Sequence, residues 1–406
     1  MRQVTEPLFN PFDPQFRANP YPFYDKLRVS EPVHRTALGM VVLTRYEDVS
    51  ATLKSNDFSR DVEKYSEQSS SPARQRRRQR NEGRTKSILN LDPPDHTRLR
   101  RLVSRSFIPT AIERLRPRIQ QLVDEILDRA QERGSLELVD DLAFPVPFQV
   151  ISDLLDMPTE RVDELRSWSQ IITNSLEPTA TDEELVATEN ALEALVPYLT
   201  EIIEHRRKHL ADDMLSSLIT VEEAGERMTT HELMAFVVLL YIAGHETTVN
   251  LIGNGTLALL RNSKQLADAR SNGFNASIVD ELLRFDGPVQ HTVRVPLVPV
   301  HFDVAEGRIN VEPGTIVLTS LGAANHDPAM FESPHELQLA RPNANRHLAF
   351  SAGIHYCLGA SLARLETEVA IGSLIKRFSN LEINGEPEWR DRLTIRGVSR
   401  LALNCS

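Results

Sequence analysis

The sequence predicts a mainly α-helical fold, in which a large helical body carries a small β-rich region. Apolar residues recur at helical spacing in several segments of the first half, for example from Ala111 to Arg133. Further along, Thr229 and Glu232 have capping-box spacing, and helix-compatible sequence continues for about 30 residues, or roughly 45 Å at 1.5 Å per residue. Strand-like runs are confined to residues 41–44 and 293–319, so the sheet is the smaller part of the fold.

Length alone permits two or three domains or one unusually large domain, whereas composition favours one domain in a reducing compartment. The chain has 406 residues, of which 41% are hydrophobic and 25% are charged, as is ordinary for a globular protein. Its 24 prolines and 17 glycines are scattered, with no Ser/Gly linker and no repeat of fixed period, so we expect residues 1–406 to form a single domain. Two cysteines are too few for a disulfide framework and favour the cytoplasm.

Charge and hydropathy disfavour nucleic acid as a binding partner and a membrane anchor as part of the chain. The formal net charge is −11, and the longest apolar block, Leu233 to Ala243, is too short to span a bilayer. The N-terminus lacks the apolar run of a secretion signal. Residues 71–84 depart from this pattern, with five arginines between Arg74 and Arg80, and predict a basic loop. A nucleic-acid binder built on this loop would lack an extended basic face, so it is the least favoured function.

The long predicted helix is interrupted by polar residues, in the run AGHETT from Ala243 to Thr248. A glycine inside a helix costs about 1 kcal/mol relative to alanine, and a buried acid costs more. We interpret the run as a groove in which Gly244 admits a flat ligand, while Glu246 and Thr247 manage protons or a bound water. A solvated helix face with an incidental glycine is the alternative.

Two further pairs have helical spacing. Glu281 and Arg284 are three residues apart on a helix that is expected to stop at Gly287, and alone they predict only a solvated ion pair. His96 and Arg100 share one face of a helix that opens with two prolines and an acid. They either bind a carboxylate or phosphate or form a surface patch.

Cys357 lies between a glycine-bearing loop and the predicted start of a helix, and Cys405 is the only other cysteine. Four interpretations compete: a nucleophile served by His355, a zinc ligand, a buried structural thiol, or a thiolate that is the axial ligand of a heme iron. No Cys-x-x-Cys or paired-histidine spacing supports zinc. A helix N-terminus stabilises a thiolate, which favours the last interpretation.

The residues around this cysteine agree with a heme ligand. In the spacing F-x-x-G-x-x-x-C-x-G, Phe350 can lie against the sulfur, Gly353 permits a tight turn, and Gly359 lets a macrocycle approach the helix. Together with the AGHETT run and the Glu-x-x-Arg pair, in this order, the segment resembles the cytochrome P450 family. Similarity continues through NPYPFYDKLR, DPPDHTRLRRLVSRSF, AANHDP and HLAF, so nearly the whole chain resembles the soluble bacterial class of that family.

The resemblance implies the cytochrome P450 fold, heme b as cofactor, and a role for individual residues. Cys357 would be the metal ligand, and Glu246 and Thr247 would be the catalytic pair that delivers protons to dioxygen. Glu281 and Arg284 would, with Arg341, lock the fold behind the heme. Four cofactor-binding residues would donate hydrogen bonds to the heme propionates: His96, Arg100, Arg294 and His355. Five would lie beside the ring: Ala243, Gly244, Phe350, Cys357 and Gly359. Ser351 departs from the family, which most often has glycine there.

The resemblance also implies a heme-thiolate monooxygenase that oxidises, by hydroxylation, a largely apolar small molecule in secondary metabolism. O2 and two electrons from ferredoxin and ferredoxin reductase would be used, and Arg98, Arg101 and Arg105 would form a basic patch that steers an acidic ferredoxin. The alternatives are a peroxide-using variant, disfavoured by the acid and alcohol in AGHETT, and a heme or ligand-binding protein without turnover. Substrate-pocket segments would be residues 60–90, 171–177, 234–247, 289–292 and the turn near Ile395.

Overall fold

The computed structural model describes residues 9–406 except positions 11, 38, 63–84, 159, 178, 179 and 224. The arginine-rich segment and most of the predicted pocket loop 60–90 lie outside the described residues. The helices are α1 Pro14–Ala18, α2 Tyr21–Ser30, α3 Tyr46–Lys54, α4 Asp95–Ser104, α5 Pro109–Glu113, α6 Arg116–Arg133, α7 Pro145–Leu155, α8 Val162–Asn174, α9 Asp182–Lys208, α10 Met214–Thr220, α11 Thr230–Leu260, α12 Ser263–Asn272, α13 Ala276–Asp286, α14 Leu321–Ala324 and α15 Ala360–Arg377.

The β structure is small and divided. The strands are β1 Val33–Arg35, β2 Val41–Leu43, β3 Phe58–Ser59, β4 Ser135–Glu137, β5 Glu222–Glu223, β6 Glu226–Arg227, β7 His291–Pro296, β8 Val300–Val304, β9 Gly307–Val311, β10 Val317–Ser320, β11 Leu381–Ile383, β12 Glu388–Trp389, β13 Val398–Arg400 and β14 Ala402–Cys405. The largest sheet has the order β1-β2-β10-β7-β3, with only β2 and β10 parallel among its pairs. A second sheet has the order β11-β14-β4, and β5-β6, β8-β9 and β12-β13 are two-stranded. The predicted mainly helical fold with a small β region is confirmed.

Helix α11 runs through the middle of the helical body. Its 31 residues begin at a complete capping box, in which the Thr229 and Glu232 side chains each bond the other's backbone N–H, as predicted. It packs against α7, α8, α9, α13 and α15. Within the described chain it is the one helix long and apolar enough to cross a membrane by length and composition, but 61% of its apolar window is buried inside the protein. It is a core helix.

One predicted helix is two helices in the structure. The apolar run from Ala111 to Arg133 is interrupted between α5 and α6, at Arg114 and Leu115. Pro117 explains the break, because proline lacks a backbone N–H and is accommodated in the first turn of a helix, where that donor has no partner anyway. The single continuous helix expected from periodicity is therefore wrong at this point.

Candidate functional site

The cysteine loop is a tight turn directly before α15. Gly353 has φ +69°, and a Cβ at this position would lie 2.5 Å from the backbone oxygen of Leu53, so the turn requires glycine, as predicted. The Cys357 N–H donates to the Phe350 carbonyl over 2.9 Å and closes the loop. Phe350 is buried in an apolar cluster against which Cys357 packs. The structure thus brings the predicted phenylalanine to the cysteine.

The thiol of Cys357 is held among positive and hydrogen-bonding groups. Burial raises its pKa, while the backbone N–H of Gly359 and the guanidinium groups of Arg100 and Arg364 act in the opposite direction. Arg364 itself stacks on the Phe350 ring and pairs with Asp280 over 2.7 Å. These donors favour a thiolate, and a metal ion bound to the sulfur would offset the cost of burial.

Two histidines predicted as cofactor ligands lie against each other. The rings of His96, on α4, and His355, in the cysteine loop, have centroids 4.3 Å apart. Burial lowers both pKa values, that of His355 to about 3, so both rings are neutral near pH 7. His96 Nδ1 and His355 Nε2 are buried and find no hydrogen-bond partner among the described residues. Buried polar atoms without partners are rare, and here they point to a missing ligand.

Guanidinium groups surround these histidines. Arg294, on β7, is buried, and its Nη1 donates only to the Val293 carbonyl and the Thr292 hydroxyl. Arg100 Nη2 donates to the Tyr356 carbonyl over 2.7 Å and so reaches the cysteine loop. Burial, together with the positive charge of Arg60, lowers the pKa of Arg294 to about 9, while Asp92 acts in the opposite direction.

Arg60 is a further member of this cluster that sequence reasoning missed. Its guanidinium donates to the Val293 carbonyl over 3.3 Å, and its positive charge lowers the pKa of Arg294 and of His355. Burial lowers the pKa of Arg60 itself to about 10. Strand pairing explains this position: Ser59 on β3 pairs with Val295 on β7, so the next residue, Arg60, lies beside Arg294. That pairing was not visible in the sequence.

The AGHETT run makes the middle of α11 partly accessible. Ala243 is exposed and Thr247 partly exposed in the middle of a buried helix, whereas His245 and Glu246 are buried. The Thr247 hydroxyl donates to the Ala243 carbonyl over 3.0 Å. The burial of His245 and Glu246 disfavours a solvated helix face, the alternative interpretation.

Gly244 lies at a close approach between two helices. A Cβ at this position would lie 2.6 Å from Cδ1 of Ile151, on α7. Packing of α7 against α11 is thus a second reason for a glycine here, beside the predicted approach of a flat ligand. Its neighbour Ala243 is exposed.

Glu281, Arg284 and Arg341 form a fully buried cluster. Arg284 donates two hydrogen bonds to the Glu281 carboxylate, at 2.7 and 2.8 Å, and Arg341 Nε lies 3.1 Å from the same carboxylate. Arg284 also donates to the backbone carbonyls of Asn325, Pro334 and Glu336. The solvated ion pair is wrong, and the cluster instead ties α13 to the segment 325–341.

The structure gives less support to the zinc and nucleophile interpretations of Cys357 and to the predicted basic patch. No group of three or more His, Cys, Asp or Glu in the described chain could hold a metal ion, which leaves zinc without support. No hydrogen bond joins His355 to the Cys357 thiol among the described contacts, so a nucleophile–base pair is not formed. Arg98 pairs with Glu232, and Arg101 pairs with Glu226 over 2.7 Å, so two of the three arginines of the predicted basic patch have acidic partners.

The chain is similar to known proteins over nearly its whole length. The cytochrome P450 family model matches residues 33–271 and 274–400. Cytochrome P450 107B1 of Saccharopolyspora erythraea is 39% identical over 96% of both chains, and cytochrome P450 monooxygenase PikC of Streptomyces venezuelae is 37% identical over 96% of this chain and 91% of PikC.

A solved structure agrees with these matches. The bacillaene polyketide synthase cytochrome P450 PksS of Bacillus subtilis 168 superposes with a TM-score of 0.87, at 34% identity, over 98% of this chain and 100% of that chain. This chain therefore belongs to the cytochrome P450 family of heme-dependent monooxygenases.

Proposed function

We propose that the protein is a heme b monooxygenase in which Cys357 is the axial iron ligand. The observation that carries this proposal is the convergence of a thiol, two orphaned imidazole nitrogens and three guanidinium groups without carboxylate partners in the described chain. These residues fit heme, a flat ligand with a soft metal centre and two anionic arms. A Cβ at Gly359 would meet no atom within 4 Å, which leaves room for a ring beside α15.

The propionates of the heme are proposed to bind the cationic cluster. Guanidinium groups bind carboxylates in bidentate fashion, and neutral imidazole donates one further hydrogen bond. Two carboxylates would satisfy the buried nitrogens and offset the burial that lowers the arginine pKa values. The five proposed donors are His96, His355, Arg100, Arg294 and Arg60.

Bound heme supplies the reductive activation of O2, so that a substrate C–H bond, O2, two electrons and two protons yield an alcohol and one water. The chain is proposed to supply the protons. Glu246 is buried, and the partly exposed Thr247 has a hydroxyl whose own proton bonds the Ala243 carbonyl, which leaves the oxygen free to accept. This acid and alcohol disfavour the peroxide-using alternative.

The substrate is proposed to be a largely apolar small molecule of secondary metabolism. Similarity to PikC and to PksS, the latter named as a polyketide synthase P450, supports this class. The segments 289–292 and 395 that were predicted to line the pocket meet at the Val289–Ile395 bridge. Ferredoxin and ferredoxin reductase are proposed as electron donors and the cytoplasm as location, which suits two free cysteines. Residues 1–406 are proposed to form one P450 domain.

Reconstituted turnover tests the proposal. Purified holoprotein receives ferredoxin, ferredoxin reductase, NADPH and ¹⁸O₂ with a panel of polyketide lactones. The expected product carries one ¹⁸O atom and requires both electron proteins. Thr247→Val, which keeps the shape and removes the hydroxyl, should retain ligand binding but form less product per NADPH. Product formation with peroxide alone would favour the peroxide-using variant, and ligand binding without any O2 consumption would favour a binding protein.

A further inference from the structure

The hairpin of residues 388–400 contains β12 and β13 and is called the C-terminal hairpin below. Asn254 bonds it to α11, and it packs closely against Asn250. Asn254 accepts from the Val398 N–H over 3.2 Å and donates to the Arg396 carbonyl over 3.3 Å. Gly397 lies so close to α11 that a Cβ would be 1.9 Å from Asn250 Oδ1. These contacts permit one register of the hairpin along the helix.

The same hairpin contacts the proposed catalytic acid. Arg390 Nη1 lies 3.4 Å from Glu246 Oε2, and the two side chains are 10% and 2% exposed. No other carboxylate of the described chain pairs with Arg390, and its Nε is buried without a partner. The distance exceeds the roughly 2.7–2.9 Å of a strong charge-assisted bond, so the carboxylate is held by charge and can still turn.

The hairpin also holds the end of α8. The Glu177 carboxylate, which follows α8, accepts from the N–H groups of Leu393 and Thr394 over 3.0 Å each. Arg392 Nη2 reaches the Gln170 carbonyl on α8 at 3.4 Å. One short piece of chain is thus attached to α8, to α11 and to the proposed proton donor.

We propose that Arg390 is a positioning residue for Glu246, and that the C-terminal hairpin couples the direction of this carboxylate to the position of α8. The inference rests on the proposed monooxygenase function. A substrate that moves α8 would shift Glu177 and, through residues 390–394, the guanidinium that faces Glu246. Proton supply would then follow occupation of the pocket, which limits wasted reduction of O2.

Arg390→Met tests the positioning role in the holoprotein. Removal of the guanidinium leaves a buried carboxylate without its nearest cation, which favours the protonated form. We expect a new carboxylic-acid band in the infrared spectrum of the resting ferric protein at pH 7, absent from the wild type and from Arg390→Met/Glu246→Gln. Arg392, Tyr241 and His245 also face Glu246 and stay constant in this comparison.

Turnover supplies the second measurement. Arg390→Met should lower product per NADPH about tenfold, since a displaced proton donor transfers poorly. In the Glu246→Gln background the same change should have no further effect. Arg400→Met is the matched control, because Arg400 lies in the same hairpin in an exposed pair with Glu388. Arg390→Lys keeps the charge and should restore most of the coupling, which guards against a variant that fails to fold.

The link to α8 is tested by Glu177→Gln. We expect this variant to reproduce part of both effects, with a weaker infrared band and about a threefold loss of coupling. Multiplicative effects of Arg390→Met and Glu246→Gln without a new band would overturn the positioning role. A silent Glu177→Gln would overturn the coupling. If the wild type itself neither binds heme through a thiolate nor consumes O2, the proposed function fails instead.

Discussion

Ser351 holds a left-handed conformation in the cysteine loop. Its φ is +62°, which glycine adopts freely and serine adopts at a cost of about 1 kcal/mol or more. Its hydroxyl is also buried and has no hydrogen-bond partner among the described residues. The departure from the glycine of the family is therefore a point of local strain beside the proposed metal ligand.

Ser351→Gly should raise the free energy of unfolding by about 1 kcal/mol, because it removes the strained φ and the unpaired hydroxyl. Urea unfolding of the holoprotein measures the change. Ser55→Gly is the control: Ser55 has φ −78°, so glycine there relieves no strain, adds flexibility to the unfolded chain and removes the exposed bond that the Ser55 hydroxyl accepts from the Asp57 N–H. Equal losses of stability in both variants would contradict the strain.

His291 makes folding stability depend on pH. It is buried between the Tyr24 hydroxyl, at 2.9 Å, and the Ser320 hydroxyl, at 3.1 Å, and burial lowers its pKa to about 3. The folded protein keeps this ring neutral, while the unfolded chain takes up a proton below about pH 6.5. The resulting stability is complete above pH 6.5 and is lost as the pH falls towards 3.

Comparison of the wild type with His291→Gln isolates this effect. The difference between their unfolding free energies should fall by about 2 kcal/mol from pH 8 to pH 5, since the slope approaches about 1.4 kcal/mol per pH unit. Denaturant unfolding at each pH gives the two curves. Parallel curves would mean that the histidine is already protonated in the folded state.

Site residues could be predicted from the sequence where they belong to a local motif, but not where their position depends on contacts between distant segments. Cys357, His96 and His355 could be selected from local sequence and resemblance. Arg60 could not, because its place beside Arg294 depends on the pairing of two strands far apart in the chain. The close approach of Ile151 to Gly244 could not be predicted either, since only the packed structure shows it.

At the scale of elements, the Glu281 cluster joins α13 to the chain that leads to the cysteine loop. Glu281→Gln would leave the Arg284 and Arg341 guanidinium groups buried beside a neutral amide. We expect a loss of about 3–5 kcal/mol in unfolding free energy, which denaturant titration of the holoprotein would detect.

An exposed pair provides the control. Glu388 and Arg400 are 3.5 Å apart and both more than 60% exposed, so Glu388→Gln should change stability by at most about 1 kcal/mol. Similar small losses in the two variants would show that the Glu281 cluster does not stabilise the fold through its charges.

Some helix boundaries could be predicted from local sequence and others could not. The start of α11 was predictable because Thr229 and Glu232 form a capping box, which is a purely local device. The division between α5 and α6 was missed because apolar periodicity continues across it, and only Pro117 marks the new helix. Pairing of the basic residues Arg98 and Arg101 with acids on distant elements was likewise invisible in sequence.

At the scale of the whole molecule, the order of motifs along the chain predicted the fold better than any element did. The cysteine segment, the AGHETT run and the Glu-x-x-Arg pair each permit several structures alone. Their joint order restricts them to one family. In the structure, Phe350 of the cysteine segment packs in one apolar cluster with Leu251 of α11, and the Glu281–Arg284 pair braces the segment 325–341. Substrate choice is a different matter, since pocket shape depends on loops and not on these motifs.

The most direct test of the account is the absorption spectrum of the reduced protein with carbon monoxide, recorded for the wild type and for Cys357→Ser. Thiolate ligation predicts a strongly red-shifted Soret band in the wild type that disappears in the variant, because serine cannot supply the electron-rich sulfur. A folded wild-type protein that binds no heme, or that gives the shorter-wavelength band of a neutral axial ligand, would contradict the central claim that Cys357 binds the iron.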